Sequence, residues 1–295
     1  MFGHLLTAMV TPYDSSLQLD LARLPRLIDH LIATGTTGLV VCGTTGESST
    51  LSHREKLLLI EETVRLCAGR IPVIAGTGTN DTAATAEFTR EAEQLLVDGF
   101  LVVAPYYNKP SQEGLYQHFS AVADAVQKPV IVYNIPGRTA VNIQPETLCR
   151  MAQSSQIVGV KESSGDFTQI SRMIGETPED FFVYSGDDKY TLPMLALGAA
   201  GVVSVASHVV GDHITSMLQA FFEGDLAAAR QIHHRLMPLF EGLFKTSNPV
   251  LTKVALDMLG VPVGEVRLPL APATSEERRE LRRTLGAIVE LAPVH

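Results

Sequence analysis

The run Ile157-Val158-Gly159-Val160-Lys161-Glu162-Ser163-Ser164 reads as a buried strand that ends on a lysine. An ammonium group at the margin of an apolar core loses hydration, so packing alone gives no reason to place it there. Desolvation disfavours the charged form and lowers its pKa, and a neutral amine attacks carbonyls to give a Schiff base. The bland alternative is a lysine whose stem reaches back to water or whose head pairs with a neighbouring acid. Glu162 is a poor candidate for that acid, because successive residues of a strand point to opposite faces.

Schiff-base chemistry also needs a proton shuttle. Tyr133 closes another apolar run, Val130–Asn134, and its phenol serves if its pKa is lowered or a relay of hydroxyls supports it. Thr44 and Tyr107 are available as that relay; a strand-end tyrosine is otherwise rim packing. Gly43-Thr44-Thr45-Gly46-Glu47-Ser48 combines two glycines with hydroxyls. Backbone N–H groups in such a turn, with Thr44 and Thr45, can hold a carboxylate at about 1.5–3 kcal/mol per charge-assisted bond. It is not a Walker loop, because no Lys-Ser or Lys-Thr follows, and by itself it is also an ordinary tight turn. Arg138, in Pro136-Gly137-Arg138-Thr139, can clamp a second carboxylate bidentately or simply occupy a surface turn.

Other groups are discounted. His233 and His234 are adjacent on a helical pattern and cannot face one metal together. The nine histidines show neither HExxH nor Cys-His ligand spacing, so no metal site is expected. Asp187-Asp188 reads as a loop-orienting pair rather than a cation site. Cys42 reads as a small core residue rather than a nucleophile.

These residues need elements to position them. Short apolar runs rich in β-branched residues occur at Leu5–Val10, Gly38–Cys42, Pro72–Ala75, Phe100–Ala104, Val130–Asn134, Ile157–Lys161, Phe181–Ser185 and Val202–Ala206. Helical patterns lie between them. One begins at Asp20, with Leu21, Leu24, Leu27, Ile28, Leu31 and Ile32 on one face. Another opens on the capping box Ser52-His53-Arg54-Glu55. A third runs from Asp81 to Val97, and others start near Ser111, Pro145, Asp166 and Lys189. Strand–helix alternation implies parallel strands joined by crossovers, and eight rounds fit a closed (β/α)8 TIM barrel. An open doubly wound sheet is the alternative, although no GxGxxG follows the first strand. Asp225–Phe244, Asn248–Leu259 and Ser275–Leu291 continue as helix. The expected organisation is an α/β catalytic barrel over residues 1–224 and a helical extension over 225–295.

In such a barrel, chemistry sits at the C-terminal ends of the strands. Those ends collect Thr11, the GTTGE turn, Gly76–Asn80, Pro105–Asn108, Tyr133–Arg138, Lys161–Ser163, Gly186–Asp188 and Ser204. Hydroxyls, tyrosines, one arginine and the odd lysine therefore converge on one rim.

Composition removes several function classes. The chain has 295 residues and a net charge of −9, which argues against a nucleic-acid surface. No apolar run approaches the roughly 18 residues of a membrane span, and no export signal is evident. Three scattered cysteines suggest free thiols in a reducing cytoplasm rather than a disulfide framework.

Taken together, GTTGES, YYNKPSQEGLYQHF, YNIPGRT and VKESSGD make a highly specific set. The chain resembles the dihydrodipicolinate synthase family, pyruvate-dependent class I aldolases related to N-acetylneuraminate lyase. The match runs from Leu6-Thr7-Ala8 to the last helices. The resemblance implies that Lys161 forms an imine with pyruvate and that Tyr133 gives and takes protons. It implies Thr44 and Tyr107 as relay partners, with Tyr107 supplied by the neighbouring subunit of a tight dimer. Thr45 would hold the pyruvate carboxylate, Val203 would back the same pocket, and Gly186 joins the substrate-binding set. Arg138 would receive the carboxylate of L-aspartate 4-semialdehyde. The implied product is 4-hydroxy-tetrahydrodipicolinate, at the entry to diaminopimelate and lysine. A homotetramer built as a dimer of dimers is implied, with no cofactor and no metal.

Family members inhibited by lysine carry a feedback site at the tight-dimer interface. Ser48, His53, Asn80 and Tyr106 match it, and Ser49 stands at a variable position there. Lys56 and Ala84 stand where sensitive members have His and Glu. A cation therefore replaces a mostly neutral ring, and a carboxylate for the ligand's ammonium is missing, so weak or no inhibition by lysine is expected. Two rival readings remain open: a sister aldolase acting on a 2-keto-3-deoxy sugar acid or N-acetylneuraminate, and a catalytically dead barrel.

Overall fold

The computed structural model describes residues 2–291. Eight parallel strands close into a barrel in chain order: β1 Leu5–Ala8, β2 Gly38–Val41, β3 Val73–Gly76, β4 Gly99–Val103, β5 Val130–Asn134, β6 Ile157–Glu162, β7 Phe182–Ser185 and β8 Gly201–Ser204. Closure is made by β8 against β1, with Leu5 opposite Val202 and Leu6 opposite Val203. The open-sheet alternative is thereby excluded, and the (β/α)8 expectation holds.

Strand periodicity divides the core. Leu6, Ala8, Val40, Ile74, Leu101, Ile131, Tyr133, Tyr184 and Val203 point inward and fill the barrel. Their neighbours, among them Leu5, Leu39, Val73, Phe100, Val132 and Val160, point outward and pack under the helices. Strands buried on both faces must be apolar throughout, which is why they read as continuous runs.

Two strands stop two residues earlier than the apolar runs suggest, β1 at Ala8 and β8 at Ser204. The Val10 N–H bonds to His208 Nε2 at 3.2 Å instead of continuing the sheet. The Val205 and Ala206 N–H groups both donate to Asp188 Oδ2 at 3.0 Å. Side chains have taken over the backbone donors, so these segments become rim loops.

The Ser52 capping box is formed and opens the helix His53–Cys67. Asp81 caps the helix Thr82–Glu93, which ends short of Val97 because Leu96 adopts a left-handed φ of 62°. Two helices were not legible in the sequence. Ser207–Phe222 starts without a side-chain cap and is kinked at Val210. Pro136–Thr139 is a single turn that carries Arg138.

Beyond the barrel lie helices Leu226–Gly242, Val250–Met258 and Ser275–Gly286. Residues 292–295 of the expected extension lie outside the described residues. The extension is fastened to the rim by a buried ion pair: Lys253 Nζ lies 2.7 Å from Glu47 Oε1, and both side chains are 2% exposed. Lys253 also donates to the Glu265 carbonyl, and Glu47 Oε2 accepts from the Arg267 N–H at 2.9 Å. Glu47 itself sits at a left-handed φ of 55°, so the GTTGES turn is held in a conformation that a non-glycine residue adopts at a cost. No helix among the described residues is long and apolar enough to cross a membrane.

Candidate active site

A cavity of about 170 Å³ opens at the C-terminal end of the barrel. Lys161 projects into it from β6, in register with Tyr133 of β5 and Tyr184 of β7. It is 5% exposed. Burial brings its pKa down to about 8; the Arg138 charge pushes the same way, and Asp188 and Asp187 oppose. Its Nζ lies 4.3 Å from the centroid of the Tyr133 ring. Burial pushes the Tyr133 phenol up to about 12, against the pull of Arg138, Ser163 and Thr44. Lysine and tyrosine thus stand together, the amine made easier to deprotonate and the phenol kept protonated.

Gly186 makes the room for this pair. A Cβ there would fall 1.9 Å from Ser163 Oγ and 3.0 Å from both Cε and Cγ of Lys161. A side chain at that position would displace the Ser163 hydroxyl and crowd the amine's stem.

The opposite wall is the GTTGES turn. The Thr11 hydroxyl holds it by donating to the Gly46 carbonyl at 2.6 Å. Thr44 and Thr45 line the cavity. Thr45 Oγ1 accepts from Asn248 Nδ2 at 2.8 Å, which leaves its own hydroxyl proton to point at a ligand. Arg138 lines the outer end of the cavity and has no ion-pair partner among the described residues. Its guanidinium is open to a carboxylate arriving from solvent.

The structure therefore brings Lys161, Tyr133, Thr44, Thr45, Arg138 and Gly186 together. Val203 lies in the inner barrel, opposite Leu6 and in the same apolar cluster as the cavity-lining Ala8, Val40, Leu101 and Tyr133, but is not itself at the cavity surface; Val205, two residues on, is. Tyr107 is not brought to Lys161 within the chain. It is 87% exposed, at a left-handed φ of 76°.

Glu162 points away from the cavity, as alternation requires, and accepts from Asn134 Nδ2 at 2.8 Å. Asp188 orients a loop: it is buried and binds the Ser204 hydroxyl and two backbone N–H groups. Among the described residues, no group of three or more His, Cys, Asp or Glu is placed to hold a metal.

Phe244 and Asn248 also line the cavity and were not singled out as site residues. They lie beyond the eighth strand, where a search of strand ends does not look. Ser163 lines it too, although the sequence offered only its place beside Lys161.

A second cavity, of about 340 Å³, shares Thr44, Ile135 and Arg138 with the first and is lined further by Ser48, Ser49, Lys56, Thr79 and Tyr106. His53 and Asn80 do not line it. His53 pairs with Glu91 at 2.7 Å, and the Asn80 carbonyl accepts from Asn108 Nδ2. Lys56 Nζ sits 5.6 Å from the centroid of the Phe88 ring.

Comparison with known proteins agrees with this architecture. The model of the dihydrodipicolinate synthetase family matches residues 1–288. A 4-hydroxy-tetrahydrodipicolinate synthase from Listeria welshimeri is 54% identical over 288 residues, 97% of this chain and 98% of that protein. One from Bacillus subtilis is 50% identical, covering 97% and 99%. The crystal structure of a dihydrodipicolinate synthase from Bacillus anthracis superposes with a TM-score of 0.97 at 46% identity, covering 98% of this chain and 99% of that one. With sequence, fold and a buried lysine at the sixth strand end in agreement, the chain belongs to the dihydrodipicolinate synthetase family.

Proposed function

We infer that this cavity condenses pyruvate with L-aspartate 4-semialdehyde through an imine on Lys161, yielding 4-hydroxy-tetrahydrodipicolinate. The chain is then a lyase of the pyruvate-dependent class I aldolase type, working at the entry to diaminopimelate and lysine. The observation that carries the reading is the buried lysine. With a pKa of about 8, roughly a tenth of the amine is neutral at pH 7, against roughly one part in 3,000 at its ordinary value.

The steps follow from the walls of the cavity. The pyruvate carboxylate is held at the Thr44-Thr45 turn, which presents the keto carbon to Lys161. Attack by the neutral amine gives a carbinolamine. Tyr133, protonated at neutral pH, delivers a proton to the hydroxyl, which leaves as water. Loss of a methyl proton converts the imine to an enamine. The enamine carbon attacks the aldehyde of the second substrate, whose carboxylate is met by Arg138. The amino group of that substrate then displaces Lys161 and closes the ring.

Tyr107 enters from a second subunit in this reading, which fits its exposure and its absence from its own cavity. The homotetramer, built as a dimer of dimers, and a cytoplasmic location belong to the same proposal.

Arg138 separates this reaction from its sister aldolases, because a sugar acceptor brings no carboxylate to that place. The test is turnover with each acceptor at fixed pyruvate. Consumption of aspartate semialdehyde and of no aldose is expected. Turnover of a sugar acceptor with none of the semialdehyde would overturn the assignment.

A further inference from the structure

We propose that Ser163 is a further catalytic residue: its hydroxyl donates a hydrogen bond to the oxygen on the keto carbon while the carbinolamine forms and collapses. This rests on the imine reading above and adds a donor to it.

The placement comes from the strand. β6 ends at Glu162, and alternation returns Ser163 to the inward side, the side of Lys161. The backbone there is held from both neighbours. The Ser163 N–H donates to the Asn134 carbonyl at 2.9 Å, and the Gly186 N–H donates to the Glu162 carbonyl at 2.8 Å. Ser163 Oγ and the Lys161 side chain flank the same point, the space left by the missing Cβ of Gly186. The hydroxyl is therefore fixed beside the nucleophile and lines the cavity.

Its bonding state points to a ligand. Ser163 Oγ is shielded from solvent and has no hydrogen-bond partner among the described residues. Buried hydroxyls in folded proteins are nearly always paired, and an exception at a reaction centre marks a place for a group that arrives later. The adjacent Ser164 shows the contrast. Its hydroxyl accepts from the Asp166 N–H at 3.2 Å and serves the loop. The Tyr133 phenol is a polar neighbour that Ser163 draws down in pKa without the two hydroxyls meeting hydrogen-bond geometry, which places both around the same space.

The step balances without any group beyond pyruvate and the chain. The amine lone pair of Lys161 forms the C–N bond, and the carbonyl π pair moves to oxygen. Tyr133 passes the two protons lost by nitrogen to that oxygen, one at addition and one at departure. The C–O bond then breaks, water leaves, and the nitrogen lone pair forms the C=N bond. Ser163 gives up no proton. It stabilises charge on the oxygen in both transition states, which is where a fixed donor accelerates acyl- and imine-type reactions.

The test is Ser163→Ala in the full chain, read by rapid mixing with pyruvate, borohydride quench at intervals and mass analysis. Imine formation is expected to slow about 10- to 100-fold. The final trapped fraction should match the unsubstituted chain, and the Tm should be equal or higher because the removed hydroxyl had no partner. An unchanged rate of imine formation overturns the proposal and leaves the imine reading standing. A slower rate with a lowered Tm also overturns it, since that is what a structural hydroxyl does. If the unsubstituted chain is not trapped at all, the imine reading fails and this inference with it.

Discussion

Lys161 is placed where folding does not want it. Its pKa of about 8 in the fold lies below its ordinary 10.5, so the folded state disfavours its proton. Below pH 8 that penalty is fully present. Between pH 8 and 10.5 the unfolded chain binds more protons than the folded one, so stability rises with pH, and the penalty is gone above that window. Lys161→Met should therefore raise the unfolding free energy at pH 7 by on the order of 1–3 kcal/mol, give no gain at pH 11, and abolish turnover. In the unsubstituted chain, kcat/KM for pyruvate should climb with pH along a limb centred near 8, as the amine loses its proton. A flat profile from pH 6 to 9, or a Met variant less stable at neutral pH, would contradict this assignment. Lys161 was legible because an apolar run cannot absorb a lysine silently. Ser163 and Val205 were not, because a serine past a strand end and one valine among several carry no pattern; only the register and the cavity distinguish them.

At the scale of elements, the eight strands and most of the helices were legible because burial on both sides forces continuous apolar runs and alternating crossovers. Their ends were not, because Asp188 and His208 capture backbone donors from elsewhere in the chain, and no local pattern announces such a capture. The extension shows the same limit more strongly. Its helices could be read, but not that Asn248 and Phe244 complete the cavity or that Lys253 reaches Glu47. That pair is a long-range event between segments two hundred residues apart. Removing one partner leaves the other charge buried. Lys253→Met should cost roughly 3–5 kcal/mol in denaturant unfolding, and adding Glu47→Gln should recover part of that loss. Additive losses in the double variant would show that the two side chains are not coupled.

At the scale of the whole molecule, a single chain supplies every part of the proposed chemistry except Tyr107. Its ring stands in solvent on a strained backbone, which a monomer gives no reason to maintain. A partner that receives it explains the placement. The consequence is complementation. Lys161→Met lacks the amine but keeps Tyr107; Tyr107→Ala lacks the phenol but keeps the amine. Mixed and allowed to exchange subunits, the two should recover up to about a quarter of the unsubstituted activity, because half of random dimers are hybrids with one intact site of two. Activity no greater than the sum of the separate variants would place Tyr107 outside the relay.

The most direct test of the central claim is borohydride reduction in the presence of pyruvate, followed by peptide mass analysis. Imine chemistry on the buried amine predicts the mass of one reduced pyruvate per chain, carried on the peptide that contains Lys161 and absent from Lys161→Met. No added mass, or added mass on a different lysine such as Lys253, would contradict it.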